Sequence, residues 1–153
     1  MLTLNQIVRR IKTIALQHKQ LRNFYFGNVT DFIEDKQTRY ASLFLQDNQG
    51  VIDVAGKVVS YNFKMFLLDL ENVSNETQKN TLDVQSDMAS VATDLLAEFN
   101  HSDYLDWKLS SGSSFGLVRE SFDDIVAGIV VDLTIQIPYD NNTCAVPNIN
   151  ENV

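Results

Sequence analysis

Two stretches of the chain repeat apolar residues every three or four positions, which is typical of amphipathic helices. The first is residues 3–21, where Thr3 and Gln6 have the spacing of a capping box that begins a helix. The second runs from about Gln78 to Phe99 and has one continuous apolar stripe. The stripes consist of Leu4, Ile7, Val8, Ile11, Ile14 and Ala15 in the first helix, and of Val84, Met88, Val91, Ala92, Leu95, Leu96 and Phe99 in the second.

Alternation of apolar and polar residues predicts strands, most clearly at 58–70 and 129–137, where Pro138 ends the second one. Further strands are predicted at 40–46, 51–54, 104–109 and 115–122. The segment 24–36 reads as a turn at Gly27-Asn28 and a single helical turn over 31–35, capped by Thr30. Short turns between long neighbouring strands favour an antiparallel sheet. We therefore predict one α+β domain over 1–140, with two amphipathic helices packed on one sheet face, and a polar C-terminal tail at 141–153.

The strand at 58–70 has a second face that turns apolar part-way along. Asn62 and Lys64 are followed on that face by apolar residues, and such a surface must be covered. Further apolar residues in the chain exceed what two helices on the other face would cover. We expect a partner, a neighbouring subunit or ring, to contact this surplus: Phe66, Leu68, Leu70, Phe24, Tyr25, Phe26 and Val130. The alternative is that the DFIED turn at 31–35 and the tail cover it within one chain.

Composition limits the function. The 153 residues carry a net charge of −8, which argues against a protein that grips nucleic-acid phosphates but not against the wall of a DNA conduit. The single cysteine, Cys144, lies in the polar tail near no obvious base, so we expect neither a disulfide nor a nucleophile. Basic residues interrupt the N-terminal apolar residues and no apolar run approaches membrane-spanning length, so we expect a chain that matures in a cytoplasm.

Candidate chemistry is sparse. His18 continues the apolar side of the first helix and is expected to be a packed or edge histidine. His101 precedes Asp103 and Asp106, a weak candidate for a metal or acid–base cluster, but a helix-ending turn explains it better. The carboxylates of the second helix are expected to be solvated: Asp83, Asp87, Asp94 and Glu98.

The loop between residues 110 and 114, SSGSS, has a superficial likeness to a nucleophile motif over Gly112–Gly116. It lies between two predicted strands instead of at a strand-to-helix elbow, so a hairpin turn is the better interpretation. We therefore predict no catalytic residues, no cofactor and no metal.

Four segments resemble small structural proteins of tailed bacteriophages, especially of phages that infect Bacteroides-type gut bacteria. They are LTLNQIVRRIKTIALQHKQLRNFYFGNVTDFI, VVSYNFKMFLLDLENVSNETQKN, VQSDMASVATDLLAEFN and VAGIVVDLTIQIPYDNNTCAVP. The order of elements is similar to the tail-terminator or tail-completion family, which builds the neck between head and tail. The resemblance implies helices packed on an antiparallel sheet and no catalytic residues.

The resemblance also implies a function and partners. Members form homo-oligomeric rings, hexameric in long-tailed phages or dodecameric where they follow the portal, and DNA passes through the lumen. The expected partners are copies of the chain, a portal or adaptor ring, tail proteins and transiently DNA, without a membrane; the expected location is the virion, with assembly in the host cytoplasm. Asp123 and Asp124 are candidates to face the lumen. Two alternatives stay open: an adaptor that binds another virion or host protein through the apolar strand face, and a small enzyme that uses His101.

Overall fold

The computed structural model describes residues 1–33, 39–71, 80–121 and 125–140, and within them the fold is α+β. The helices are α1 (Leu4–Gln17), α2 (Val29–Ile33) and α3 (Thr81–Phe99). The strands are β1 (Asn23–Phe26), β2 (Ser42–Asp47), β3 (Val51–Asp53), β4 (Val58–Leu70), β5 (Lys108–Leu109), β6 (Phe115–Ser121) and β7 (Ile125–Pro138).

The strands form one mixed sheet around the long antiparallel pair of β4 and β7. On the outer side of β4 lie β2 and β3, and on the outer side of β7 lie β6 and β5, each pair end to end. The prediction of antiparallel pairing is right except at β1, which pairs with β2 in parallel. The connection from β1 to β2 carries α2 and is not a tight hairpin, so β2 can run in the same direction as β1.

Helices α1 and α3 cover one face of the sheet, as the sequence predicts. The capping box at Thr3 and Gln6 is present, but α1 ends at Gln17 instead of residue 21 because His18 adopts an extended backbone. Both stripes enter a single core with the alternate residues of β4 and β7. The fully or nearly buried helical members are Ile7, Ile11, Ile14, Ala15, Val84, Met88, Val91, Ala92, Leu95 and Phe99.

Two local predictions are wrong. Helix α2 begins at Val29, earlier than predicted, and the Asn28 side chain accepts a hydrogen bond from the Thr30 N–H where Thr30 was expected to cap. The strand predicted at 104–109 is reduced to Lys108–Leu109. Trp107 is buried in the core instead, and its indole N–H donates to the Phe99 carbonyl at 2.9 Å.

The second face of the sheet carries a smaller apolar cluster of its own. Tyr40, Phe44, Leu68 and Val126 are buried there, and partly buried residues surround them: Tyr25, Val29, Phe66 and Val118. The expectation that a neighbouring subunit covers Leu68 is therefore wrong, because residues of the same chain enclose it completely. Beyond this cluster the face is polar, with Lys64 and Asp132 opposite each other in register.

Candidate interaction surface

The aromatic and apolar residues predicted to form an interface are divided by the fold. Phe24 packs against the main core, and Tyr25 stacks on Phe44 with ring centroids 5.2 Å apart. Phe66 and Val130 pair in register on the second face and are half-buried. Leu70 and Phe26 are exposed. Of the residues predicted to form an interface, those still accessible to a partner are Phe66, Val130 and Leu70, which border the second cluster, and Phe26 on the edge strand β1.

Strands β3 and β6 both expose apolar residues that the predicted interface does not include: Val51 and Ile52 on β3, and Phe115 and Leu117 on β6. Phe115 and Leu117 are 64 % and 60 % exposed and share a face with Val131 and Ile129, their buried cross-strand partners. Helix α3 covers those partners and also contacts β6, where the Gln85 side-chain amide donates to the Val118 carbonyl at 3.1 Å, but it leaves Phe115 and Leu117 exposed. A cavity of about 140 Å³ remains between helix and strand, lined mainly by Ala89, Ala92, Thr93, Leu96, Phe115 and Ile129.

Strand β6 also presents an open backbone edge. The Asp132 N–H donates to the Ser114 carbonyl at 2.9 Å, and antiparallel pairs alternate, so Gly116 and Val118 bond to β7. The N–H and C=O groups of Phe115 and Leu117 therefore point away from the sheet. Within the described ranges no hydrogen bond reaches these outward groups, which is the property of an edge that can accept a further strand.

The opposite edge of the sheet is β1, which in the described part of the chain pairs with β2 alone. Phe26 is 40 % exposed there and lies on the same sheet face as Phe24, the face of the helices. Beside β1 runs α1, whose Lys12 lies opposite Arg10 by the helical period, away from α3. Lys12, Lys19 and Arg22 are exposed, so this edge is basic.

Charge is segregated between the two long helices. No acidic residue precedes Asp31 in the sequence, so α1 carries Arg9, Arg10 and Lys12 without a carboxylate. Helix α3 carries only carboxylates among its charged residues, and all four are exposed as predicted: Asp83, Asp87, Asp94 and Glu98. Within one chain the two helices pack side by side, so the basic helix neighbours the acidic one.

The predicted histidine cluster does not assemble. His101 accepts a hydrogen bond from the Asp103 N–H at Nδ1 (3.2 Å), but Asp106 is turned to Arg10, which it binds through both carboxylate oxygens at 2.7 and 2.9 Å. Arg10 also stacks over Tyr104 and Trp107. The hydrogen bonds from Arg10 lower the pKa of Asp106, and the same contact raises the pKa of Arg10.

His18 links the two helices, which confirms its interpretation as an edge histidine. Its Nε2 lies 2.9 Å from a carboxylate oxygen of Asp94, and its Nδ1 accepts the Gln20 N–H at 3.2 Å. Because Nδ1 is an acceptor, the neutral ring carries its proton on Nε2. This Nε2–H group donates a hydrogen bond to the Asp94 carboxylate. Among the described residues no group of three His, Cys, Asp or Glu is placed to hold a metal ion.

The serine loop is not a hairpin, since β5 and β6 both pair with β7 and do not pair with each other. Ser110–Ser113 line one side of an open groove of about 690 Å³, whose other walls include Asn100, Lys108 and Gln136. No histidine or carboxylate lines this groove among the described residues. A serine there lacks the base that a nucleophile requires.

Several predicted residues lie outside the described ranges: Asp123 and Asp124, Cys144, and the tail at 141–153. The DFIED segment is described only over its first three positions. No helix among the described residues is long and apolar enough to cross a membrane.

Comparison of the sequence with protein-family models finds no match, and comparison with curated proteins finds none either. The functional assignment therefore depends on the surface described above and on the sequence resemblance.

Proposed function

We propose that the chain is a virion structural protein of the neck of a tailed phage. In this proposal its copies form a homo-oligomeric ring between the portal or head and the tail, and DNA passes through the ring. The observation that carries the proposal is the open β6 edge, where Phe115 and Leu117 expose apolar surface that the described residues of one chain leave uncovered. The sequence resemblance to neck proteins supports the same function.

A ring requires two different surfaces on each subunit, because each copy contacts one neighbour on either side. The sheet offers two such surfaces, the β6 edge beyond β7 and the β1 edge beyond β2, on opposite sides of the central pair of β4 and β7. A sheet with one of its two edges covered would offer only one edge surface to a neighbouring copy. This arrangement favours a repeating assembly.

The charge of the chain suits a conduit. Six copies at −8 each would carry about −48, and a negative lumen does not hold the phosphate backbone. DNA can then slide through the ring without being trapped on it. In this proposal Asp123 and Asp124 face the lumen, and the chain after Asp140 reaches a portal, adaptor or tail protein.

A second candidate is an adaptor that binds another virion or host protein without forming a ring. The half-buried pair of Phe66 and Val130, together with exposed Leu70, favours it, because these residues form an apolar border on the second sheet face. A partner helix or loop placed there would bury these residues next to the second cluster.

Cryo-electron microscopy of the purified parent particle tests both candidates by locating this chain and counting its copies. Six or twelve copies around the DNA channel at the head–tail junction would support the ring. Copies bound singly away from the channel would favour the adaptor. Absence of the chain from the particle would contradict the ring and would leave the adaptor only with a host partner.

A further inference from the structure

We infer that the β6 edge of one copy pairs with the β1 edge of the next, so that the sheet continues from subunit to subunit. The inference rests on the proposed function and deepens it by naming the surfaces that join neighbours. Its occupant is a second copy of this chain, seated with its α1 beside the first copy's α3. Three independent features support it: strand direction, apolar cover and charge.

Strand direction permits the pairing without turning a subunit over. β2 and β7 both run antiparallel to β4, β6 runs antiparallel to β7, and β1 runs parallel to β2. β1 and β6 therefore point in opposite directions within one copy. A second copy placed edge to edge in the same orientation presents an antiparallel partner strand, and its helices stay on the same side of the sheet.

The exposed apolar residues meet on one face in this arrangement. Phe115 and Leu117 project from the helix side of β6, and Phe26 projects from the helix side of β1. The cavity of about 140 Å³ between α3 and β6 lies beside Phe115, on this face. Pairing removes these side chains from water and satisfies the outward backbone groups of β6, which a solvated edge leaves to water.

Charge selects this pairing over the two symmetric ones. A β6–β6 dimer would set two α3 helices side by side, each with four carboxylates and neither Lys nor Arg. A β1–β1 dimer would bring together two edges with Lys12, Lys19 and Arg22. Of the three pairings, β6 against β1 places the acidic helix α3 of one copy beside the basic edge of the next. Within one chain, basic α1 and acidic α3 are neighbours in the same way. The α3 carboxylates lie on its solvent surface, so they act through their field and not as contact pairs.

Disulfide trapping tests the pairing directly. In a Cys144→Ser background, Phe26→Cys and Leu117→Cys place one thiol on each edge at exposed positions. Mild oxidation of the double variant should give a ladder of dimers, trimers and larger species, because each copy has two different reactive edges. A disulfide requires Cα atoms within about 7 Å, so the reaction reports strand pairing and not loose proximity.

The single-cysteine variants are the controls. Phe26→Cys alone reports β1–β1 contacts and Leu117→Cys alone reports β6–β6 contacts, and both should stay monomeric. A further double variant with Leu105→Cys in place of Leu117→Cys controls for random collision, since Leu105 is 87 % exposed and lies in neither edge strand. Dimers from a single variant, or no ladder above the Leu105 control, would overturn the inference.

Two results separate this inference from the proposed function. If microscopy shows rings in the neck but the cysteine pair gives no ladder, the chain is a ring subunit that uses other surfaces. If the ladder forms but the chain is absent from the particle, the edges pair as inferred and the neck function is wrong.

Discussion

Gly128 of β7 lies opposite Leu68 of β4 in the central strand pair. A Cβ added there would meet the Leu67 carbonyl oxygen at 1.8 Å and the Leu67 carbonyl carbon at 2.9 Å. Both are backbone atoms of a central strand, so they cannot move aside as a side chain can. We predict that Gly128→Ala lowers the free energy of unfolding by about 3 kcal/mol, at the upper end of typical overpacking costs, measured by chemical denaturation.

Gly116 is the matched control for this change. It lies in the neighbouring strand, and a Cβ there would contact only a Val130 methyl group at 3.7 Å, an ordinary distance. Gly116→Ala should leave stability unchanged or raise it by up to about 1 kcal/mol through the unfolded chain. Equal stability of the two variants would contradict the close approach at Gly128.

The pair of Arg10 and Asp106 joins α1 to the loop after α3. Because the hydrogen bonds from Arg10 hold the pKa of Asp106 below its unfolded value, the pair stabilises the fold above the unfolded pKa. That contribution is lost as the pH falls through the lowered folded pKa. Asp106 is about half exposed, so we predict that Asp106→Asn costs only on the order of 0.5 kcal/mol at neutral pH.

Urea unfolding at neutral pH and at about pH 2 measures this effect. The difference between Asp106→Asn and the unaltered chain should shrink as the pH falls through the lowered pKa of Asp106, because a protonated Asp106 carries no charge, like the asparagine. Asp87→Asn removes an exposed carboxylate of α3 that has no ion pair among the described residues, and should have no such pH-dependent cost. A cost for Asp106→Asn that persists in acid would mean that packing, not charge, is responsible.

At the scale of the element, Leu68 and Leu70 lie on the same face of β4 but differ in burial. Comparing them distinguishes apolar surface that the chain itself buries from apolar surface that is open to a partner. Leu68 is fully buried among Tyr40, Phe44 and Val126, whereas Leu70 on the same face is exposed. We predict that Leu68→Ala lowers the free energy of unfolding of the monomer by about 3 kcal/mol through transfer and cavity terms. Leu70→Ala should cost less than about 1 kcal/mol. Similar small costs for both variants, by denaturation of the monomer, would restore the original expectation for Leu68.

The helices and long strands were predictable because their information is local. The stripe from Val84 to Phe99 needs only the 3.6-residue period, and Thr3 with Gln6 needs only a spacing. Segments whose structure is set by distant contacts were not predictable. Trp107 reads as strand by local alternation, but its burial and its bond to Phe99 take it into the core instead.

The candidate surface was predicted only in part for a similar reason. The sequence indicated that β6 is a strand, and the alternation of Phe115 and Leu117 is visible in it. Whether β6 lies at the edge of the sheet, with Phe115 and Leu117 left exposed beside α3, depends on the strand order. Conversely, the apolar second face of β4 was recognised from the sequence. Its cover by Tyr40 and Val29 depends on the path of the chain after β1, which no local period contains.

At the scale of the whole molecule, the charge is unevenly distributed along the chain. None of the 20 acidic residues precedes position 31, whereas 5 of the 12 basic residues do: Arg9, Arg10, Lys12, Lys19 and Arg22. The fold gathers this segment at the α1–β1 edge. The remainder of the molecule is strongly acidic, so a second copy is attracted to that edge and repelled elsewhere. A net charge of −8 therefore opposes random association and leaves one favourable orientation.

This uneven charge makes the association of copies dependent on salt in a specific way. We predict that Lys12→Glu with Lys19→Glu lowers the yield of the Phe26–Leu117 disulfide ladder several-fold at about 0.05 M salt. At about 1 M salt, where the screening length is about 3 Å, the charge-reversed and unreversed forms should give equal yields. Lys64→Glu with Lys57→Glu makes the same change of net charge away from both edge strands, and should leave the low-salt yield much closer to that of the unreversed form. If both pairs of substitutions lower the yield equally, net repulsion governs association and the basic edge has no orienting role.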